Sequence, residues 1–161
     1  MSEPATALPV LDFLKHRLTG APPPVPRVHL RYPTAISQSL GFRIVAVDAG
    51  TASVAVDVDP DRHGNQQGTV HGGFLVELAD AAIGTAHSTL MQDGESFTSI
   101  DIRAAFLRPV WADTLTATAH AVHSGRTITH YSCDVVRADG KVAASVTSTV
   151  MTLRGDAARG R

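Results

Sequence analysis

The residues with the clearest chemical potential lie between positions 64 and 87, in the stretch GNQQGTVHGGFLVELADAAIGTAH. Two glycines, Gly72 and Gly73, begin its apolar half, and the carboxylate of Asp80 follows them. No Lys or Arg occurs between Arg62 and Arg103, so the acid has no basic partner nearby in the sequence. Such a carboxylate is a candidate general base.

The segment that carries Asp80 is predicted to form one long helix, roughly from Gly72 to Met91. At about 100° per residue, its apolar side chains cover an arc of about 200°, which is wider than the stripe of a surface helix. We therefore expect a mostly buried helix, covered by a sheet on one side and by another subunit on part of the other. The remaining arc contains Asp80, Gly84, Glu77 and His87.

The start of this helix could bind a partly negative oxygen atom. The first N–H groups of a helix have no partner within it and lie at the positive end of its dipole. Because a glycine costs up to about 1 kcal/mol relative to alanine in a helix, two of them suggest that a ligand approaches the backbone closely. Asp80 follows about two turns later, among apolar residues that should raise its pKa. A packing explanation stays open, in which the glycines only shape the helix entry and Asp80 faces solvent.

The rest of the chain is predicted to be mainly strands. Alternating residues from Phe42 to Asp59 predict a hairpin, and four strand-like segments follow the helix, separated by turn residues such as Pro109. This order predicts the α+β class, with an antiparallel sheet and one helix against it. We expect an N-terminal arm with a short helix and a Pro-rich connector at 1–32, a main domain at 33–153 and a frayed tail at 154–161.

Composition argues against several classes of partner. A formal net charge of −1 gives no electrostatic reason to expect nucleic acid or an anionic membrane. The single cysteine, Cys133, is expected to be a buried structural thiol in a reducing compartment. Neither a signal peptide nor an apolar run of about 18 residues is apparent, so we expect a cytoplasmic protein.

Other residues that could do chemistry have simpler explanations. Eight histidines suggest a metal site, but no Cys, His or carboxylate cluster has ligand spacing, so no metal is expected. His87 is expected to be a hydrogen-bonded histidine at an interface. Trp111 is expected to cap the core, although it could instead stack on an adenine ring.

The stretch NQQGTVHGGFLVELADAAIGTA resembles the signature of hotdog-fold acyl-coenzyme A thioesterases of the phenylacetic-acid-degradation (PaaI-like) type. Flanking segments LGFRIV and SIDIRAAFLRP fit as well, so the resemblance extends over about residues 33–153. It implies a hotdog fold, in which an antiparallel sheet wraps around one long central helix. The residues that carry the pattern are Asn65, Gly68, His71, Gly72, Gly73 and Asp80.

The resemblance implies roles for five residues at a reacting centre. Asp80 would be the catalytic carboxylate, which either attacks the thioester or activates water. Gly72 would donate its backbone N–H to the thioester carbonyl. Asn65 would help to position the carboxylate or the water, and His71 would shape the loop and hydrogen-bond near the thioester. Ser99 matches a position where related enzymes carry a hydroxyl that assists the water.

The resemblance also implies how the substrate is bound. No cofactor is needed, since coenzyme A is part of the substrate, and an apolar lining that includes Leu75 and Leu78 would receive the acyl chain. Backbone N–H groups of Ser124 and Gly125 would help to bind the coenzyme A phosphates. The full set expected to contact coenzyme A is Arg108, His123, Ser124, Gly125 and Arg126.

In such proteins the site lies between subunits, so Asp80 and Gly72 would come from opposite chains of a homodimer at minimum, and of a homotetramer built as a dimer of dimers. Ser99 alternates with Ile100 and Ile102, and this periodicity does not place it in the site. Two alternatives stay open: a non-enzymatic acyl-coenzyme A sensor on the same fold, and a related hydratase or dehydratase.

Overall fold

One six-stranded antiparallel sheet with a long helix packed against it forms the computed structural model, which describes residues 7–25 and 28–160. The elements in chain order are α1 (Val10–Thr19), α2 (Ala35–Leu40), β1 (Arg43–Asp48), β2 (Thr51–Val58), α3 (Pro60–His63), α4 (Gly72–Ser88), β3 (Ser96–Phe106), β4 (Asp113–Ser124), β5 (Ile128–Val136) and β6 (Val142–Leu153). The strand order is β1-β2-β4-β5-β6-β3. This arrangement confirms the predicted α+β class and hotdog architecture.

Helix α4 lies at the centre of the core. It begins at Gly72, as predicted, and ends at Ser88, earlier than the predicted Met91. The helix stops where Thr89 Oγ1 donates to the Ala86 carbonyl at 2.6 Å and accepts the Gly50 N–H at 2.9 Å. Its sheet-facing side packs mainly on β2 and β4 and is buried, at Leu75, Leu78, Ala79, Ala82, Ile83 and Ala86.

The opposite side of α4 is only half-buried within one chain. Glu77, Asp80, Ala81 and Gly84 lie there. Small residues at 81 and 84 leave room for another backbone to come close. The sequence analysis predicted that a second subunit would cover part of this side of the helix.

Strand β3 is an edge of the sheet and is interrupted by a bulge. Its pairing with β6 shifts between Ser99 and Asp101, so Ile100 is an extra residue opposite the partner strand. Ile100 is 52% exposed and Phe106 is 57% exposed. An apolar edge strand with unpaired backbone groups is a surface that another chain can pair with.

The N-terminal arm contributes a small second core. Val10, Phe13 and Leu14 of α1 are buried and pack towards Ile44 and Val47 of β1. The predicted Pro-rich connector falls partly on residues 26 and 27, outside the described residues. At the other end, residues Gly155–Ala158 form a 3-10 helix within the segment predicted to fray. The proposed domain boundaries themselves stay a prediction.

His87 is hydrogen-bonded, as expected, but it lies in the core of the chain and not at an interface, which corrects the second part of the expectation. Its side chain is 1% exposed and is bonded through Nδ1 to the Tyr131 hydroxyl and through Nε2 to Thr152 Oγ1, both at 3.0 Å. Burial lowers the pKa of His87 from 6.5 to about 4, against a smaller opposing effect of the Glu95 charge. The ring is therefore a neutral part of a buried polar network.

Cys133 is fully buried, as predicted for a structural thiol, and burial raises its pKa to about 12. In the part of the chain that the structure describes, no helix has the length and apolar character needed to cross a membrane.

We expect His87 to make folding pH-dependent. Since the folded-state pKa is about 4 and the ordinary value is 6.5, the unfolded chain binds more protons between these values. The stabilising effect of the neutral ring is therefore present above pH 6.5 and is lost as the pH falls towards 4. Urea unfolding at fixed protein concentration should show a flatter dependence on pH across this window for His87→Gln than for the wild type. Parallel curves for the two proteins would contradict this assignment.

Candidate active site

The helix start at Gly72 leaves one backbone donor unused. His71 is the N-cap residue, and its Nδ1 accepts the Gly73 N–H at 2.9 Å. The Phe74 N–H donates to the His71 carbonyl at 3.0 Å. The Gly72 N–H donates to no acceptor in the described part of the chain. It is therefore available to an oxygen atom from outside the chain, at the positive end of the α4 dipole.

Backbone bonds on both sides hold this helix start in place. The His71 N–H donates to the His63 carbonyl at 2.7 Å, and the Val70 N–H donates to the Val110 carbonyl at 2.8 Å. The loop before α4 is thus tied to α3 and to the segment after β3. His71 shapes the loop by capping the helix. A hydrogen bond of His71 near a thioester stays a prediction.

Both glycines also have a packing reason. A Cβ atom on Gly72 would lie 3.0 Å from the ring of Phe106, and one on Gly73 would lie 3.0 Å from His71 Nδ1. The packing explanation left open by the sequence is thus correct for both positions. It does not compete with the chemical one, because the unused N–H of Gly72 is present as well.

A cavity of about 440 Å³ opens at Gly72. It brings together three of the predicted residues, Asn65, Gly72 and Arg108. Its other lining is mostly apolar, from Thr69, Val70, Leu75, Phe106, Leu107, Pro109 and Val110. Leu75 lines this space, whereas Leu78 is fully buried in the core and does not line it. Binding of an acyl chain by Leu75 stays a prediction.

The Asn65 side chain is engaged in its own loop. Its Oδ1 accepts the Gln67 N–H at 2.9 Å and the Thr69 N–H at 3.2 Å, and its Nδ2 donates to Thr69 Oγ1 at 3.1 Å. In a single chain, Asn65 therefore shapes the wall of the cavity. A contact of Asn65 with a catalytic carboxylate or water stays a prediction.

Arg108 lies at the cavity with part of its guanidinium engaged. Its Nη1 donates to the Val142 carbonyl at 2.8 Å. A guanidinium has five N–H donors, so others stay available for an anion.

Asp80 and Ser99 lie close to each other, away from the cavity at Gly72. Asp80 is half-buried, and burial raises its pKa, while the nearby Ser99 hydroxyl acts in the opposite direction. Ser99 lies two residues after Phe97, whose ring packs against His87 of α4, so ordinary alternation along β3 puts both side chains on the helix side. The sequence prediction took Ile100 and Ile102 as the apolar face, but they are 52% and 37% exposed. A carboxylate with a raised pKa beside a hydroxyl is suited to accept a proton.

Glu77 is a second carboxylate at this position that sequence reasoning left without a role. It lies one turn before Asp80, and its pKa is raised by burial and then by the charge of Asp80. The helical spacing of three residues was the signal that could have paired them.

One chain does not bring Gly72 and Asp80 to the same point. They are eight residues apart on α4, which is about 12 Å along the helix axis at roughly 1.5 Å per residue. A single thioester group does not span that distance. The Gly72 N–H and the Asp80 carboxylate of one chain are therefore too far apart to act on the same thioester group.

The hairpin between β4 and β5, with His123, Ser124, Gly125 and Arg126, is far from Arg108. Arg108 donates to Val142 of β6, which pairs with Val136 of β5, and Val136 pairs in turn with Thr116 of β4. The hairpin begins eight residues after Thr116, at Ser124. At about 3.3 Å per residue this is roughly 26 Å. One chain does not place both predicted coenzyme A contacts in one pocket.

The expectation that Gly125 offers its N–H to a phosphate is wrong for this conformation. That N–H donates to the Ile128 carbonyl at 2.8 Å and closes the hairpin turn. The Arg126 carbonyl accepts from Arg154 Nη1 at 2.8 Å, which fixes the same turn from the other side. The exposed side chains of His123, Ser124 and Arg126 are the groups that this hairpin presents to solvent.

Trp111 does not cap the core, which corrects the sequence prediction. Its side chain is 55% exposed, whereas the preceding Val110 is buried. Neighbouring residues in an extended segment point in opposite directions, so the inward turn of Val110 directs the indole outwards.

Within residues 7–25 and 28–160, no group of three or more His, Cys, Asp or Glu side chains lies close enough to bind a metal ion.

The chain is similar to known proteins in both sequence and fold. The family model described as Thioesterase superfamily matches residues 67–144. The acyl-coenzyme A thioesterase PaaI of Escherichia coli K12 is 37% identical over 112 residues, covering 68% of this chain and 76% of that protein. The 1,4-dihydroxy-2-naphthoyl-CoA hydrolase of Listeria monocytogenes is 36% identical over 93 residues, covering 56% and 73%.

The fold is similar to the solved structures of two bacterial proteins. The structure of the E. coli PaaI protein from the phenylacetic acid degradation operon aligns with a TM-score of 0.71 at 31% identity, covering 76% of this chain and 87% of that one. The TT0310 protein of Thermus thermophilus aligns with a TM-score of 0.68 at 34% identity, covering 76% and 98%.

The surroundings of Asp80 predict the direction in which its pKa is shifted and the effect of removing the Ser99 hydroxyl. By carboxyl ¹³C NMR, Asp80 should titrate above its ordinary pKa of 3.8, and Ser99→Ala should raise the midpoint further because an opposing interaction is lost. The matched control Ser53→Ala removes a serine that is bonded to Thr118 on β4 and should leave the midpoint unchanged. A lower Asp80 midpoint in Ser99→Ala would contradict the arrangement.

Proposed function

We propose that this chain, which belongs to the thioesterase superfamily, hydrolyses an acyl-coenzyme A thioester to the free acid and coenzyme A. The observation that carries the proposal is the unused N–H of Gly72, which opens into the cavity at the positive end of α4. A donor fixed in this way stabilises a carbonyl oxygen most when negative charge develops on it. The names of the relatives, one an acyl-coenzyme A thioesterase and one a naphthoyl-CoA hydrolase, support this reaction class.

In the proposed mechanism, the thioester oxygen accepts the Gly72 N–H while a nucleophile attacks the carbonyl carbon. Asp80 acts in one of two ways. As a general base it takes a proton from water, whose oxygen bonds to the carbonyl carbon as the C–S bond breaks. As a nucleophile it forms an anhydride and expels coenzyme A, and water then cleaves the anhydride. Both routes release the acid and the thiol, and both need Asp80 ionised, so the rate falls as the pH drops through its pKa.

We infer that the working site combines Gly72 of one chain with Asp80 of another. The separation of about 12 Å between them on one helix supports this inference. So do the half-buried arc of α4 around Ala81 and Gly84 and the exposed apolar edge strand β3. A homodimer is thus the minimum active unit, and a homotetramer is the proposed assembly.

Coenzyme A would also be bound by residues from two chains. We propose that its phosphates contact Arg108 of one chain and the side chains of His123, Ser124 and Arg126 from another. The separation of roughly 26 Å along β4 within one chain supports this assignment. We also propose a cytoplasmic location, to which the free buried thiol of Cys133 is suited.

Asp80→Asn should lower turnover by about 10²–10⁴-fold, because the amide neither accepts the proton nor attacks. Glu77→Gln is the matched control, since it removes a carboxylate one turn away on the same helix, and it should stay close to the wild type. The measurement is release of the coenzyme A thiol across aromatic, short-chain and long-chain acyl-coenzyme A esters.

Full activity of Asp80→Asn on the best substrate would contradict the mechanism. Saturable binding without thiol release by the wild type would favour the sensor. A change in absorbance of an enoyl thioester without thiol release would favour the hydratase.

Gly72→Pro should lower turnover by about 10²–10³-fold, because proline removes the N–H donor. Proline is tolerated at the first position of a helix, so α4 should still form. Gly72→Ala is the matched control, since it adds the Cβ atom near Phe106 but keeps the donor. It should retain more activity than the proline variant.

The division of the site between chains can be tested with the same variants. Mixed dimers of Asp80→Asn and Gly72→Pro, purified through two different affinity tags, should recover about half of the wild-type turnover, because one of the two sites is intact. Mixed dimers as inactive as their parents would show that both residues act within one chain.

A further inference from the structure

A second cavity, of about 280 Å³, lies between α1, the segment before α2, and β1. It shares no lining residue with the cavity at Gly72. All of its lining residues precede position 67, so they lie outside the segment matched by the thioesterase model. The space therefore belongs to the N-terminal part of the chain, which the proposed reaction does not use.

The lining of this cavity is largely apolar. Leu14 is 1% exposed and Phe42 is 9% exposed, and the half-buried Ile44 and Tyr32 lie beside them. The Tyr32 hydroxyl is bonded to Ser88 Oγ. This surface is suited to bind the hydrocarbon part of a ligand, because the side chains of Leu14, Phe42 and Ile44 are apolar.

The charged side chains that line the cavity have one sign. Arg17 and Arg43 line it, and no carboxylate does. Arg43 Nη1 is bonded to Asp57 Oδ2 at 3.2 Å, which leaves other N–H donors of that guanidinium available. Among the described residues Arg17 has no carboxylate partner, and its guanidinium lies 6.0 Å from the Phe13 ring centroid.

A hydroxyl donor completes the polar lining. Ser37 Oγ accepts from Thr34 Oγ1 at 2.7 Å, so the proton of Ser37 itself is directed elsewhere. Two guanidinium groups and one hydroxyl donor form a set that favours an oxyanion, since every group that lines the cavity can donate. Asp57, outside the lining, neutralises part of the Arg43 charge, so Arg17 is the stronger of the two anion-binding groups.

We propose that this cavity binds a small monocarboxylic acid, with its hydrocarbon body against Leu14 and Phe42 and its carboxylate at Arg17 and Arg43. Guanidinium groups recognise a carboxylate through paired N–H donors, and the adjoining apolar wall selects acids with a compact hydrocarbon part. Free acids are also the products of the proposed hydrolysis, but binding here does not depend on that reaction. Phe42 packs edge-on against Phe74 with ring centroids 5.6 Å apart, so the ligand lies one ring away from the start of α4.

The test is calorimetric titration of the full-length protein with octanoate and with its neutral isostere octanamide. Octanoate should bind saturably to the wild type, and octanamide should bind about tenfold or more weakly, because it lacks the charge that the arginines recognise. Arg17→Gln, alone and combined with Arg43→Gln, should weaken octanoate binding by a similar factor. Arg62→Gln removes one positive charge from α3, outside this cavity, and should bind octanoate like the wild type.

Three results would overturn the proposal: no saturable binding of octanoate, equal binding of octanamide, or unchanged binding by the Arg17 and Arg43 variants. The last result would place the acid elsewhere, for example at the cavity near Gly72. Thermal melting of each variant shows whether it is folded. Because binding is measured without turnover, failure of this proposal is distinguishable from failure of the proposed hydrolysis.

Discussion

The burial of α4 against the sheet is the constraint on which the other features depend. Its apolar side packs on β2 and β4, so the position and direction of the helix are determined by the core. Its first turn is consequently held at one end of the sheet, where His71 caps it and leaves the Gly72 N–H without a partner in the described part of the chain. Asp80 lies on the opposite, half-buried side of the helix, where burial raises its pKa. The packing of one helix therefore positions both the Gly72 donor and the Asp80 carboxylate.

Strand β3 links the two halves of the candidate site. Near its beginning, Ser99 lies beside Asp80, and at its end the Phe106 ring lies against Gly72. The strand is also the exposed apolar edge of the sheet. A second copy that paired with this edge would lie beside both features at once, which is why the proposed assembly and the proposed chemistry belong together.

Much of this arrangement could be predicted from sequence because its signals are local. The wide apolar arc of α4 and its glycine start are visible in consecutive residues. The direction of Ser99 was not predicted, because Ile100 and Ile102 suggested the buried face of the strand although both are exposed in one chain. Trp111 and the Gly125 N–H were assigned wrongly because their environments depend on the inward turn of Val110 and on a bond across the hairpin. The partly engaged amide of Asn65 is likewise a property of its loop in three dimensions.

The crowding around the two glycines also limits how this sequence can diverge. A side chain at position 72 meets the ring of Phe106, and one at position 73 meets the ring of His71. Each glycine is thus in close contact with an aromatic or imidazole ring at another position, so a side chain added there requires that ring to shift by a few tenths of an ångström. The effects of substitutions at a glycine and at its neighbouring ring are therefore expected to be non-additive.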